Sequence, residues 1–534
     1  MNARGRSLFE GLPASVPEAL ALRRQRPDDL FVVGPDFQLT FGESDVLSSK
    51  LASRLLAAGV GKGTRLGVLH ANDPDWVVSW LAGARIGALT VPLSTFAPGP
   101  ELVRVLRHTD VSSLLTTSSF LQSSLSSRLE EGLEGLAGSG PSLTLEQTPY
   151  LRWIHVNDSE SLSWSRPLSD LASEALVRAA ESQVVPADPL VMVNTSGTTS
   201  GPKSVVHTHG SLIRHSALMA QLRSLRPSDR LFCPMPFFWV GGLTTSLLYA
   251  LTSGCTLLTQ IRFEPGEALD LIEREAATLI QVWPNAAQAM AEHPSFGMRN
   301  LRSVRGGTVP EALPQGRRPA SSYLYPGLFG MTETGGPHSN PDDPYSPLPV
   351  ELRGTFGIGV PGVDRKVVDL ESFGPAAAGD PGELHVRGPF VMDQIYKSER
   401  HETFDRDGWY PTGDICSIDD RGFLRFHGRK SLMIKTGGSN VAPNEVEEVL
   451  RESPMVKVAY VLGIPDSQRG EAVVAVVVPN DGFSPDDQVL AGYVRSRLST
   501  YKVPRQWAFV TEGAVPLLPN GKADIQSLRG IFVS

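Results

Sequence analysis

A short apolar run, Leu190-Val191-Met192-Val193, passes almost directly into Thr195-Ser196-Gly197-Thr198-Thr199-Ser200-Gly201-Pro202-Lys203-Ser204. The run reads as a buried strand. The loop it feeds is built from hydroxyl side chains, glycines and one lysine, a composition suited to phosphate. Backbone N–H groups turn inward at glycine, hydroxyls donate, and Lys203 supplies positive charge. The spacing departs from G-x-x-x-x-G-K-[ST], so this is not the common phosphate loop of the NTPases. Clusters of Ser, Thr and Gly are usually surface turns. A Pro-Lys pair so soon after a buried strand favours the phosphate reading here.

The rest of the chain arranges itself around that loop. Across residues 30 to 93 short strands alternate with helices: residues 65–69 read as a strand, 76–86 as an amphipathic helix and 89–91 as the next strand. Such alternation predicts a parallel sheet covered by helices. Residues from about 118 to 170 are rich in Ser, Gly and Glu with weak periodicity, and read as a surface excursion. Beyond the loop the α/β pattern resumes through 254–258, a helix near 265–277 and 279–283. Residues 340–350 are proline-rich and read as a loop. From 354 to 426 glycines punctuate short β-like runs, predicting a small barrel or antiparallel sheet. The last hundred or so residues carry their own strands and helices, enough for a small α+β domain joined near residues 429–432. A length of 534 residues suits more than one domain.

Charge excludes some partners. The chain has 49 basic and 57 acidic residues, a formal net charge of −8, which gives no nucleic-acid footprint. Cys233, Cys255 and Cys416 lie too far apart in sequence for a metal or redox spacing, which predicts a reducing, cytoplasmic setting. The N-terminal residues have no signal-peptide core. No apolar stretch approaches the roughly 20 residues of a membrane helix, and the best candidate, residues 77–91, contains Arg85.

Five further patches need one another. Gly330-Met331-Thr332-Glu333-Thr334 follows Phe329, and a Glu beside Thr suits Mg²⁺, a hard cation that takes oxygen ligands. Trp409-Tyr410-Pro411-Thr412-Gly413-Asp414 ends in a carboxylate that either accepts both hydroxyls of a ribose or caps a turn. Gly428-Arg429-Lys430-Ser431-Leu432-Met433-Ile434-Lys435-Thr436-Gly437-Gly438 is an exposed hairpin, or a junction leading to glycines that let backbone approach a ligand. Pro519-Asn520-Gly521-Lys522 sets a lysine in a turn near the C-terminus. Pro234-Met235-Pro236-Phe237-Phe238-Trp239-Val240-Gly241-Gly242 is core packing, or the wall and gate of a pocket.

Together, and in this order, TSGTTSGPKS, GMTET, WYPTGD, GRK…IKTGGSNVAPNEVE and PNGK resemble the acyl-adenylate-forming superfamily, over roughly residues 30 to 529. That superfamily holds acyl-CoA synthetases, aryl-CoA ligases, luciferases and peptide-synthetase adenylation domains, and the chain is most similar to the first. The resemblance implies an α/β fold: a large N-terminal domain (1–430) of two α/β sheets and a small β-barrel, and a small mobile C-terminal α+β domain (431–534) hinged at Ser431. It implies that a carboxylate attacks the α-phosphorus of ATP to give acyl-AMP and pyrophosphate, after which coenzyme A displaces AMP. The partners are then a small-molecule carboxylic acid, ATP and CoA, with Mg²⁺ as cofactor, for a monomer or homodimer.

The same resemblance implies roles for individual residues. Thr195, Ser196, Gly197, Thr198, Thr199, Ser200, Gly201 and Lys203 hold the β- and γ-phosphates. Glu333, with Thr198 or Thr199, holds Mg²⁺, and Thr332 contacts the α-phosphate. Phe329 packs on adenine beside Gly306-Gly307-Thr308, with Gly330 and Met331 completing that wall. Asp414 binds ribose, assisted by Arg429, and Lys522 bridges the carboxylate and the α-phosphate. Lys435, Gly437 and Gly438 belong to the loop beside the pantetheine tunnel. Phe237, Phe238, Trp239, Val240 and Gly241 form the acyl pocket, with Trp239 as gate. No aspartate for an α-ammonium is evident in residues 237–242, which favours an acid without an α-amino group.

The chain departs from the family pattern at Ser200 and Ser204, where many relatives have Gly, at Gly327 in place of a side chain that reads adenine, at Phe329 for Tyr, and at the hinge pair Ser431-Leu432. None removes Lys203, Glu333, Asp414 or Lys522. The leading reading is a complete acid–CoA ligase. The alternatives are an enzyme that mainly thiolates a supplied acyl-adenylate, and an idle acyl-nucleotide-binding relative.

Overall fold

The computed structural model describes residues 9–158, 161–195, 203–318, 324–436, 439–441, 443–466, 470–498, 502–518 and 521–532. The chain divides into two compact units. One comprises the residues up to Asp364 with Arg387–Gly408, the other Arg365–Val386 with Trp409 onward.

The first unit holds two sheets of mainly parallel strands. Five parallel strands make the heart of the larger one: β1 (Arg65–Leu69), β2 (Leu89–Pro92), β3 (Ser113–Thr116), β4 (Trp153–Val156) and β5 (Pro189–Thr195). β6 (Lys203–Thr208) pairs antiparallel with β5 and carries the edge strand Gln394–Ile395, giving the order Gln394–Ile395, β6, β5, β2, β1, β3, β4. Val191 and Met192 of β5 are fully buried, as a strand covered on both faces requires. Three helices matter below: α1 (Phe41–Ala57), α2 (Pro74–Arg85) and α3 (His209–Leu222). α2 starts where Asp73 accepts from Trp76 N–H with Pro74 in the first turn, a start built from local chemistry. The second sheet orders Gly306–Gly307, Leu279–Ile280, Arg230–Phe232, Thr256–Leu258, Leu30–Val33 and Gln38–Thr40.

Residues 118–170 are no mere surface excursion. Leu125, Leu129, Leu133 and Leu136 recur at helical spacing beneath an even scatter of Ser and Glu, and all four are fully buried. Trp153 and Ile154 add β4 to the sheet, and Trp164 is buried with its indole N–H donating to Glu130. The polar residues between these anchors hide the period.

The 354–426 segment is not continuous in space. Ile358–Gly359 pairs with β8 (Gly336–Asn340), which follows β7 (Phe329–Met331) in a three-stranded antiparallel sheet of the first unit. The second unit has a four-stranded sheet of Asp364–Val368, Gly382–Arg387, β9 (Tyr410–Ile418) and β10 (Leu424–Arg429). It also has a five-stranded sheet around the long hairpin Val456–Asp466 and Gly470–Pro479, covered by the helices Pro443–Arg451 and Asp487–Arg495. Between the two sheets Lys430–Leu432 form a single 3₁₀ turn. No described helix is long and apolar enough to cross a membrane.

Candidate active site

Lys203 and Glu333 meet. β5 and β6 form a hairpin in which Thr195 and Lys203 are register partners and the Thr195 hydroxyl donates to the Lys203 carbonyl at 3.3 Å. Ser196, Gly197, Thr198, Thr199, Ser200 and Gly201 lie outside the described residues. The Lys203 ammonium donates to Glu333 Oε1, and Glu333 is 8% exposed. A buried carboxylate is thus balanced by a partly exposed ammonium, in a site where charges interact more strongly than in bulk water. It sits at the carboxyl end of β5, the end of a parallel sheet at which α/β proteins place their ligands.

Two histidines hold the Glu333 segment in place, and the motifs gave no sign of them. His207 on β6 places Nε2 2.7 Å from the Thr332 carbonyl, and His215 on α3 places Nε2 2.8 Å from the Pro337 carbonyl. Both rings are fully buried, and burial pushes each down to about 4, so both are neutral at pH 7 and Nε2 is the donor. Met392 N–H donates to the Glu333 carbonyl at 2.7 Å. The β7–β8 turn needs its glycines: a Cβ on Gly330 would fall 2.2 Å from the Gly336 carbonyl oxygen.

Phe329 packs 5.1 Å from Phe356 and 5.3 Å, edge to face, from His338. Gly327 lies against the same Phe356, where a Cβ would come within 3.0 Å of the ring, so no side chain enters there without displacing it. Gly306 and Gly307 serve packing first: a Cβ would lie 2.2 Å from the Tyr345 ring or 2.4 Å from the Ile280 carbonyl. Thr308 is locked to Val282, donating to its carbonyl and accepting from its N–H.

The aromatic segment follows the strand Arg230–Phe232. Phe237 is fully buried against Trp76, with ring centres 5.1 Å apart, and therefore belongs to the core. Phe238 and Trp239 join a run of edge-to-face rings: Trp239 is 5.2 Å from both Phe238 and Trp283, and Phe96 is 5.6 Å from Phe238. Asn72 clamps the segment, donating to the Met235 carbonyl and accepting from Phe237 N–H. Val240 and Gly241 open a helix that widens into a π-helical turn over Leu243–Leu247, a geometry that recurs at functional sites.

Asp414 belongs to the second unit. Between the register pairs Glu383↔Ile415 and His385↔Pro411, residue 384 faces residues 412–414, so the β9 strand bulges. Gly413 at the crest has φ +72°, which only glycine adopts cheaply. The bulge buries Asp414 at 2% exposure, with Arg429 Nε 2.6 Å from its carboxylate and Arg429 Nη1 donating to the Thr412 carbonyl. Glu383 supports it from behind, accepting from Gly413 N–H at 3.2 Å, and His385 and Lys430 hold its carboxyl down at about 2. Glu383, to which no motif gave a role, is thereby paired with Lys430 of the GRK motif. Lys522 is exposed in a turn where Gly521 N–H donates to the Leu518 carbonyl. Gly437 and Gly438 lie outside the described residues, as do the side chains of Ser431 and Lys435.

Residues 20–396 match the AMP-binding enzyme family, and residues 445–522 match the AMP-binding enzyme C-terminal domain. The chain belongs to the AMP-binding enzyme family. It is 30% identical over 503 residues to the indoleacetate–CoA ligase of Aromatoleum aromaticum, covering 93% of each chain. It is 31% identical over 502 residues to a feruloyl-CoA synthase of Amycolatopsis, covering 91% of this chain and 92% of that one. Among solved structures, the amide bond synthetase McbA of Marinactinospora thermotolerans superposes with a TM-score of 0.80 at 26% identity, over 97% of this chain and 100% of that one.

Proposed function

We propose that this member of the family is an ATP-dependent acyl-CoA synthetase, an AMP-forming acid–thiol ligase. It activates a carboxylic acid as acyl-AMP and transfers the acyl group to coenzyme A. The ion pair of Lys203 with the buried Glu333 carboxylate, at the carboxyl end of β5, carries the reading. Attack of one anion on a polyanion needs fixed charge in a water-poor site, and that electrostatic term is often the largest in catalysis.

Lys203, with the loop it closes, takes the departing diphosphate. Glu333 is the oxygen donor for Mg²⁺, joined by Thr198, and the ion when bound screens charge on the leaving group. A buried carboxylate whose present partner is a cation fits that exchange. Thr332 meets the α-phosphate, Phe329 stacks on adenine, and Asp414 with Arg429 takes the ribose hydroxyls. Lys522 bridges carboxylate and α-phosphate in the adenylating step. The hinge at Ser431 then exchanges it for the loop of Lys435, Gly437 and Gly438 during thiolation.

The rings of Phe96, Phe238, Trp239 and Trp283 favour an acid with an aromatic or extended apolar body. Relatives named for indoleacetate and ferulate agree with that class. A cytoplasmic location rests on Cys233, Cys255 and Cys416 being buried as free thiols. One observation favours a second reading. Gly327 against Phe356 leaves adenine without a side-chain reader there, which weakens ATP recognition and suits an enzyme that mainly thiolates a supplied acyl-adenylate.

The test is pyrophosphate release with ATP and a panel of aryl and medium-chain acids, with and without CoA. Acid-dependent release and a CoA thioester support the synthetase. Thioester from synthetic acyl-AMP alone supports the second reading, and amide formed from an added amine in place of thioester contradicts thiol transfer.

A further inference from the structure

At the opposite end of the same parallel sheet lies a cavity of about 370 Å³ that the adenylation site does not use. It is lined by Arg65, Arg152 and Arg166, with Thr64 and Ser112 among the hydroxyls, and by Trp153. Its position follows from register. Arg65, Ser113 and Trp153 are the first residues of β1, β3 and β4, and these strands run side by side in parallel. The cavity is therefore at the amino ends of the strands, whereas the loop after Thr195 leaves at a carboxyl end. The strands between them are roughly 15 Å long.

Arg65, Arg152 and Arg166 line it together, and among the described residues no acidic one does. The neighbouring carboxylate, Asp110, is engaged by the Tyr396 hydroxyl at 2.8 Å and the Lys397 ammonium at 2.9 Å. Each arginine is oriented by one contact and keeps further N–H groups. Arg65 Nε donates to the Asp110 carbonyl, Arg152 Nη1 to the Pro149 carbonyl, and Arg166 lies 5.5 Å over the Trp153 ring. Arg65 and Arg166 are half-buried, so positive charge gathers in a partly enclosed pocket of a protein that is otherwise acidic. Arginine forks match phosphate oxygens two at a time. The volume lies at the small end of the range for ligand sites. Trp153 is 3% exposed and offers no open face for a base to stack on, so the recognised part is a compact polyanion.

We propose that this cavity is a second anion site that binds a diphosphate group, either as inorganic diphosphate or as the tail of a nucleoside diphosphate. It is separate from the site of adenylation.

Calorimetric titration of the full chain with inorganic diphosphate, and separately with ADP and with inorganic phosphate, tests it. Wild type shows a saturable event that Arg152→Gln weakens about tenfold, the worth of one charge-assisted contact, and that Arg152→Gln with Arg166→Gln abolishes. Arg152 is exposed, so the single variant folds even if loss of the Arg166–Trp153 stack proves disruptive. Lys203→Gln leaves this event in place and removes only binding at the adenylation site, so failure of one site is distinguishable from failure of the other. Tighter binding of ADP than of diphosphate assigns the group to a nucleotide, and the reverse assigns it to the free ion; either ranking upholds the site. Diphosphate binding that is equal in wild type and both arginine variants, or absent altogether, overturns it.

Discussion

Acid should loosen the Glu333 segment, because His207 and His215 hold it as neutral rings. Burial holds both down at about 4, against about 6.5 in the unfolded chain. The sign follows: the unfolded chain binds the protons, so stability rises with pH, is complete above 6.5, and is lost as pH falls from 6.5 towards 4. At about pH 5 the gap is roughly 1.5 units, which at about 1.4 kcal/mol per unit is about 2 kcal/mol for each ring, or about 4 for the pair. The perturbation is His207→Gln with His215→Gln, which keeps an N–H donor near each carbonyl and removes the titration. Urea unfolding of both proteins at pH 7.5, 6.5, 5.5 and 5 reads the effect. Wild type should lose about 4 kcal/mol more than the variant between the ends of that range. Parallel loss in the two proteins would refute the argument that these rings are buried neutral.

Other expectations follow from single contacts. Glu383→Gln removes the charge that fixes Gly413 and Lys430, and should raise KM for ATP about tenfold with a smaller change in kcat. Lys522→Ala should abolish acyl-AMP formation and leave thiolation of supplied acyl-AMP largely intact; equal loss in both half-reactions contradicts the role given to it. Gly330→Ala should lower thermal stability, because its Cβ would lie 2.2 Å from the Gly336 carbonyl oxygen, and an unchanged Tm would mean the turn adapts. Trp239→Ala should broaden the accepted acids before ATP affinity changes, measured as kcat/KM across the acid panel.

The sequence made legible whatever is local. The strand before the phosphate loop, the alternation that builds a parallel sheet, and each motif taken singly depend on neighbours within a few residues, where period and turn chemistry operate. What pairs across distance was not legible. Nothing near His207 points to Thr332, some 125 residues later, and nothing near Asn72 points to Phe237. Asp414 was visible as a carboxylate in a turn, but the strand bulge that buries it depends on Glu383 opposite. Residues 118–170 misled because four buried leucines are diluted by serine, so composition spoke for the surface while spacing spoke for the core.

The central claim is that Lys203 and Glu333 together serve the cleavage that frees diphosphate from ATP. Exchange of labelled pyrophosphate into ATP, dependent on acid and measured without CoA, tests it most directly. Wild type should exchange, and Glu333→Gln and Lys203→Gln should each fall by roughly 10²–10³, the loss expected on removing one fixed charge from a reacting centre. Exchange at the wild-type rate in either variant would contradict the account.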